Sequence, residues 1–505
     1  MSANNVAEVL ELVKTSRAQA VDELTKNFTQ PATATTGVQP YSLEVPSKTM
    51  YPVLTPLRNR IPRVGGGVAI QANWKAFTGI NLGMIDGGVS EGQRGGLVTQ
   101  SHADYFAAFR GIGMDNSVTD EALMAAKNFE DLMSRMIEQT LRATMIQEEV
   151  VLLGGNGSGG IALGITPTPT LVGSTTGGTL AAQAWSVICV ALTVKGYWRV
   201  AGANNGNVGQ SLNVTTAQIA GQLTRNNRDG STDVFGGGSA QKSAAASATT
   251  TGATSSIAAT VAAVRGAVAY AWFWGAAGAE RLGAVTTINS VSITAATGGA
   301  NQLASALTAV DSSQNVLDFD GLLTIASKPG IGGYFQTLAT GAAGVGTTLT
   351  GAGGRVVEID AALATFYDQY RLQPNEITMN FRQFQKITNL VLGATNPNVQ
   401  FIVDPAATQN VVAGRNVGKY LSPITGELID LVVHPNMPPG TILFRTTEAP
   451  AYVQGVGDVC RVLTRREYYG EEWPRSTRRR DYGVYADEVL QHYLPFTMGV
   501  ITNVA

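Results

Sequence analysis

The sequence predicts an α+β chain interrupted by an inserted β-rich domain. Three observations predict it. A proline-rich leader and an alternating, glycine-tipped ribbon precede a long amphipathic helical stretch. From about residue 166 to 316 charged side chains thin out, and Gly/Ser/Thr/Ala tracts separate short β-type runs. After 317, ordinary helical and strand patterning returns.

The 505 residues suggest roughly two to four domains. A hydrophobic share of 44% is enough for real cores, and 58 glycines exceed the usual share of about 7%. The net charge of −2 gives no electrostatic case for binding DNA or an anionic membrane. Cys189 and Cys460 are too few and too far apart for a disulfide framework, which fits a reducing compartment. The start, MSANNVAEVLELVKTSRAQA, lacks the basic start and apolar run of a signal peptide. No uninterrupted apolar run reaches the roughly 18 residues of a membrane span. The expectation is a soluble protein made in the cytoplasm, with no membrane partner.

Residues 6–28 read as an amphipathic helix, with Val9, Val13 and Leu24 on one side. Pro31, Pro40, Pro46, Pro52, Pro56 and Pro62 then forbid any long helix and bias the chain toward extended backbone. The result is an arm that lies along something, either its own domain or a neighbouring subunit.

Val68, Ile70, Ala72, Trp74 and Ala76 alternate with polar positions, and Leu97 through Phe109 is strand-like as well. With the glycine-rich tip at 83–96, this predicts a long two-stranded ribbon. Such a hairpin is marginal alone and must lie against another surface. From Thr119 the period changes to three and four, through Phe129, Met133, Met136/Ile137, Leu141 and Met145, ending at a double glycine. Asp131–Arg135 and Glu138–Arg142 are favourable i,i+4 pairs on the wet side. The expectation is one spine helix of about 50 Å.

Within 166–316, Ala184–Val200, AVAYAWFWGAAG and Ala284–Thr294 read as sandwich strands, with Trp272 and Trp274 available for a core. The pattern is similar to immunoglobulin-like insertions, although it lacks the Cys…Trp…Cys spacing. Beyond it, EIDAALATFYDQY and RQFQKITNLVLG read as helices, and NEITMNF, ELIDLVVHP and TILFR as strands.

Chemistry is hard to find. His102, His434 and His492 have no metal-ligand spacing. GNGSGG follows a helix instead of a strand, so the dinucleotide reading fails its context test. GRNVGKY is no Walker loop, DFDG lacks further oxygen ligands, and neither cysteine sits in a catalytic signature. The sequence therefore predicts no enzyme, no catalytic residues, no cofactor and no metal.

One stretch concentrates charge. In EYYGEEWPRSTRRRDYGVYADEVL, Arg475, Arg478, Arg479 and Arg480 lie between Glu471/Glu472 and Asp481/Asp487/Glu488. A phosphate-binding stripe would not place carboxylates beside its arginines. Mixed charge suits guanidinium–carboxylate pairing and stacking on Trp473 or the tyrosines. The competing reading is a solvated face, since exposed pairs contribute little each.

The C-terminal run VCRVLTRREYYGEEWPRSTRRRDYGVYADEVLQHYLPFTMGVITNV resembles the closing segment of the major capsid proteins of tailed bacteriophages. The order of arm, ribbon, spine helix, GNGSGG transition and second α+β region is similar as well. The resemblance implies an N-terminal helix and arm over 1–60, an extended loop over 61–110, and a peripheral domain from 111–153 and 451–505. It implies an axial domain from 154–165 and 317–450, with 166–316 added on the outer surface. It further implies hexamers and pentamers of this chain in an icosahedral head around double-stranded DNA, met by weak non-specific contacts. A separate scaffolding protein and a portal would be partners, and the insertion would meet a decoration protein or host surface. The chain would reside in the virion, after assembly in the host cytoplasm. Trp74, Lys75, Phe77, Glu471, Glu472, Trp473, Arg475, Arg478, Arg479 and Arg480 become candidate inter-subunit contacts. Some members of the family cross-link a ribbon lysine to a neighbour's asparagine. Lys75 and Asn503 are the candidates here, without a motif that marks the acidic residue such chemistry needs. Two alternatives remain: a bacterial nanocompartment shell around a cargo enzyme, and an extracellular surface-layer or adhesin protein.

Overall fold

The computed structural model describes residue 14 and residues 54–80, 88–95, 99–127, 131–201, 214–215, 217–227, 229–307, 309–393, 417–448, 457–475 and 477–505, without the side chains of 76–80, 201 and 392–393. Apart from Lys14, the expected helix over 6–28 and the arm up to 53 lie outside the described residues, as does part of the ribbon tip.

A four-stranded sheet holds the first region, in the order Arg63–Val64, Cys460–Glu472, Arg479–His492, Arg110–Thr119. Its first pair is parallel and the others antiparallel. The spine helix, Leu132–Gly154, packs across the last two strands. The single long helix expected from Thr119 is in fact two. Thr119 caps Asp120–Ala125, and Asp131 caps the spine by accepting from the N–H of Met133 and Ser134 at 3.1 and 3.4 Å. Asp131 is spent as an N-cap, and the spine shortens to 23 residues, about 35 Å. The buried stripe is Met136, Thr140, Thr144, Glu148 and Val151, while Leu141 is exposed. Thr140 and Thr144 can be buried because each hydroxyl donates to the carbonyl one turn back.

A six-stranded sheet holds the second region, in the order Tyr334–Thr337, Gly499–Thr502, Ile442–Arg445, Glu376–Met379, Leu428–Val433, Lys419–Leu421. Helix Val357–Tyr370 packs Ile359, Leu363 and Phe366 onto Ile377, Phe444 and Ile501. The division expected at 451–505 needs correcting here. Gly499–Thr502 is buried at every position and forms an interior strand of this sheet, so the chain ends in the second region.

Beside a separate two-stranded pair, Gln222–Asn226 with Thr232–Gly236, the insertion holds two larger sheets. One orders Ser290–Ile293, Ser256–Thr260, Thr170–Ser174; the other orders Arg281–Thr286, Ala269–Gly275, Ala184–Leu192, Ala246–Thr249. Trp185, Cys189, Trp272 and Trp274 meet Ile257, Val291 and Ile293 in a shared core. Of the seven strands in the two larger sheets, the first, fourth and seventh in chain order make one sheet. An immunoglobulin constant domain groups its first, second, fourth and fifth strands. This grouping differs from that of a constant domain and does not confirm the expected immunoglobulin-like arrangement. Periodicity signals that a strand exists, but not which strand it pairs with.

The opposite face of the insertion's own four-stranded sheet is also covered. Val190, Ala271, Phe273 and Leu282 share a core with Val151–Leu153 of the spine and Leu322–Ala326. Burial on both faces explains the apolar run Val187–Leu192 within the strand Ala184–Leu192. The strand expected to reach Val200 stops at Leu192, because Thr193 Oγ1 accepts from Gly196 N–H at 3.3 Å and helix Val194–Ala201 follows.

Candidate functional site

The ribbon pairs Gln71–Ile80 with Gln100–Ala108 in antiparallel register, Trp74 opposite Tyr105 and Lys75 opposite Asp104. Period two turns Ala72 and Trp74 to one face, where both are buried. Trp74 Nε1 donates to the His492 carbonyl at 2.8 Å, and its ring stacks on Tyr105 at 6.2 Å. Trp74 is thus an anchor within its own chain. His492 is buried beside it, and desolvation, helped by Lys328, pushes its imidazole down to about 3. Lys75 is exposed, 3.7 Å from an equally exposed Asp104. The Phe77 side chain lies outside the described residues; its backbone pairs with His102.

Toward the tip the ribbon changes character. Gln100, Ser101, His102 and Asp104 are all exposed. At its base, Val68, Ile70 and Phe106 are 77%, 79% and 71% exposed. These apolar groups belong to the pattern that predicts the ribbon, yet nothing among the described residues covers them.

The charged stretch is a hairpin. Cys460–Glu472 returns as Arg479–His492, with Trp473 N–H donating to the Asp481 carbonyl at 3.0 Å. Its arginines find partners at home: Arg475 lies 3.9 Å from Asp120, Arg478 3.1 Å from Glu121, and Arg479 3.3 Å from Asp481. The first two pairs are exposed, so water and salt weaken them. Arg480 Nε is buried without a hydrogen-bond partner among the described residues. Glu471 and Glu472 are exposed, and Trp473 packs edge-on to Tyr485 at 6.3 Å. The structure brings Glu471 through Arg480 together at one hairpin end and leaves Trp74 and Lys75 on the separate ribbon.

Asn503, the other cross-linking candidate, is 5% exposed. Its amide accepts from Asn289 N–H at 2.8 Å and donates to the Leu338 carbonyl at 2.8 Å. In the single subunit it is a bracket between the insertion and the six-stranded sheet.

A further group of residues was not singled out from sequence. The short strap from Thr55 to Val64 crosses three elements. Arg58 pairs with Glu148 of the spine, and Arg63 with Glu148 and Glu488. Arg60 reaches Glu376 of the six-stranded sheet at 2.7 Å. Burial pushes the Glu376 carboxyl up, but the bidentate Arg445 guanidinium outweighs it and holds the group below its usual range. Glu149 accepts from Leu57 and Arg58 N–H at 2.8 and 2.7 Å. The signal available in sequence is the pair Glu148–Glu149 at the apolar end of the spine, where a solvated face would not continue.

Among the described residues no group of His, Cys, Asp or Glu could hold a metal, and no helix is long and apolar enough to cross a membrane. No family model and no curated protein matches the chain. Solved structures do. The chain is similar to the capsid of a native GTA particle, at 9% identity and TM-score 0.41, over 94% of this chain and 98% of that one. The capsid of Myoviridae phage XM1 matches at 9% identity and TM-score 0.38, over 92% and 96%. The SrpI encapsulin of Synechococcus elongatus matches at 8% identity and TM-score 0.37, over 91% and 92%.

Proposed function

We propose that this chain is a structural subunit that self-assembles, through hexamers and pentamers, into an icosahedral phage head around double-stranded DNA. The observation that carries the reading is the ribbon: anchored at its base by Trp74, exposed toward its tip, and flanked by uncovered Val68, Ile70 and Phe106. An isolated two-stranded ribbon is marginal in water, so a neighbouring copy is the natural cover for it. The resemblance of the C-terminal run to phage capsid proteins supports the same reading.

On this reading the ribbon overlaps the adjacent subunit, the first region is peripheral and the six-stranded sheet lies toward the capsomer axes. The insertion faces outward, toward a decoration protein or host surface. Glu471, Glu472, Trp473, Arg475 and Arg478–Arg480 form a seam. The exposed pairs Arg475–Asp120 and Arg478–Glu121 exchange partners there at little cost. A scaffolding protein and a portal assist assembly in the host cytoplasm, and the finished subunit resides in the virion.

Negative-stain microscopy of the expressed chain, with and without the products of neighbouring genes, tests the reading. Closed shells with nuclease-protected DNA are the expected result in the full setting. A shell filled with one enzyme would assign a nanocompartment instead, and a chain that stays monomeric under every condition would end both.

A further inference from the structure

The strap encloses more carboxylates than it can neutralise. Glu148, Glu149 and Glu488 are all 1% exposed or less, and among the described residues the guanidiniums paired with them are those of Arg58 and Arg63. Tyr468 donates to Glu148, and both guanidiniums lie over its ring, at 5.2 and 5.4 Å. Glu467 acts on Arg63 from the exposed side, and Arg110 stands opposite Glu488 on the adjoining strand without an ion pair to it.

His434 does not supply the missing charge. Asn436 N–H donates to its Nδ1 at 3.1 Å, so that nitrogen holds a lone pair, and Nε2–H donates to Glu149 Oε1 at 2.6 Å. The imidazole is neutral in this pattern. Glu149 therefore receives three donors, and Glu148 receives Arg58, Arg63 and Tyr468. Among the described residues Glu488 has one donor, Arg63 at 3.1 Å on Oε2, and its buried Oε1 has neither hydrogen bond nor ion pair, whereas Glu148 Oε1 lies against the Arg63 guanidinium. An ionised oxygen without a donor is far costlier to bury than a neutral hydroxyl.

We propose that Glu488 is a neutral carboxylic acid in the folded subunit, and that the strap is a lock whose ionisation loosens it. With Glu488 protonated, Arg58 and Arg63 balance Glu148 and Glu149. When Glu488 loses its proton, it competes with Glu148 for Arg63, and the hold on residues 55–64 weakens. Burial pushes the Glu488 carboxyl up against the opposing pull of Arg63 and Arg58, which agrees with the geometry. The proposal stands apart from what the chain assembles into.

Because the folded state retains a proton that the unfolded chain releases above about pH 4.3, stability is full below that pH and falls as pH rises through the folded value. The test compares urea unfolding of the full-length chain and Glu488→Gln from pH 5 to 9. The folded-to-unfolded ratio of the parent should drop, relative to the variant, by up to about tenfold per pH unit. Parallel pH profiles would overturn the proposal. Should Glu488→Gln not fold, infrared spectra of the parent chain labelled at Glu carboxyl carbons decide. A protonated Glu carbonyl band that disappears on raising pH supports the lock, and its absence at neutral pH refutes it.

Discussion

Asn503 Oδ1 accepts the backbone N–H of Asn289 at 2.8 Å, a contact between residues 214 apart in sequence. Asn503 adopts φ of 64°, which Asn tolerates better than most residues. Asn289 in turn donates to the Val261 carbonyl at 2.7 Å and Thr340 Oγ1 at 3.0 Å. The insertion is thereby bracketed to the six-stranded sheet by two buried amides.

Asn503→Ala leaves the Asn289 N–H and the Leu338 carbonyl buried without these partners. A loss of roughly 1–3 kcal/mol is expected, read as a lowered urea midpoint. Asn503→Gly, which keeps the backbone freedom but not the bonds, should lose a similar amount.

Deleting residues 166–316 uncovers Val151–Leu153 and Leu322–Ala326, which share a core with the insertion. The shortened chain is expected to be insoluble or to bind a hydrophobic dye. A soluble, cooperatively folding product would show that the two cores are separable.

Trp74→Ala removes the ring that pins the ribbon base together with its bond to His492. A cost of about 3–5 kcal/mol is expected. Hydrogen exchange should accelerate at Gln71–Lys75, with the six-stranded sheet unchanged.

His492 titrates differently in the two states. The unfolded imidazole protonates near about 6.5, whereas burial holds the folded one down to about 3. The unfolded chain binds the extra proton between these values, so the contribution of His492 is intact above about 6.5 and is lost progressively toward 3. His492→Gln should flatten this limb of a stability profile measured from pH 7 to 4.

Charge reversal at Arg479 and Arg480 addresses the seam. Arg479 has an acidic neighbour in its own strand, Asp481, at 3.3 Å. The double substitution is expected to abolish shells while circular dichroism still reports a folded subunit. Unchanged shells would remove the seam from the assembly reading.

Much of the chain was legible because local pattern and environment agree. The helices Val357–Tyr370 and Phe381–Gly393 and strands Glu376–Met379, Leu428–Val433 and Ile442–Arg445 lie where their periods put them. The ribbon was legible for the same reason, since Ala72 and Trp74 bury one face at period two. What pattern could not carry was partnership. The strand Gly499–Thr502 reads the same whichever sheet receives it, and the insertion strands give no sign of their grouping. Glu148, Glu149 and Glu488 look like surface carboxylates until the strap places Arg58 and Arg63 among them. Sequence by itself determined the order of elements and the apolar faces, because those depend on neighbours three or four residues away. Tertiary structure decided which charges are buried, which strands pair and where Trp74 and Asn503 point, because those depend on groups that only folding brings together.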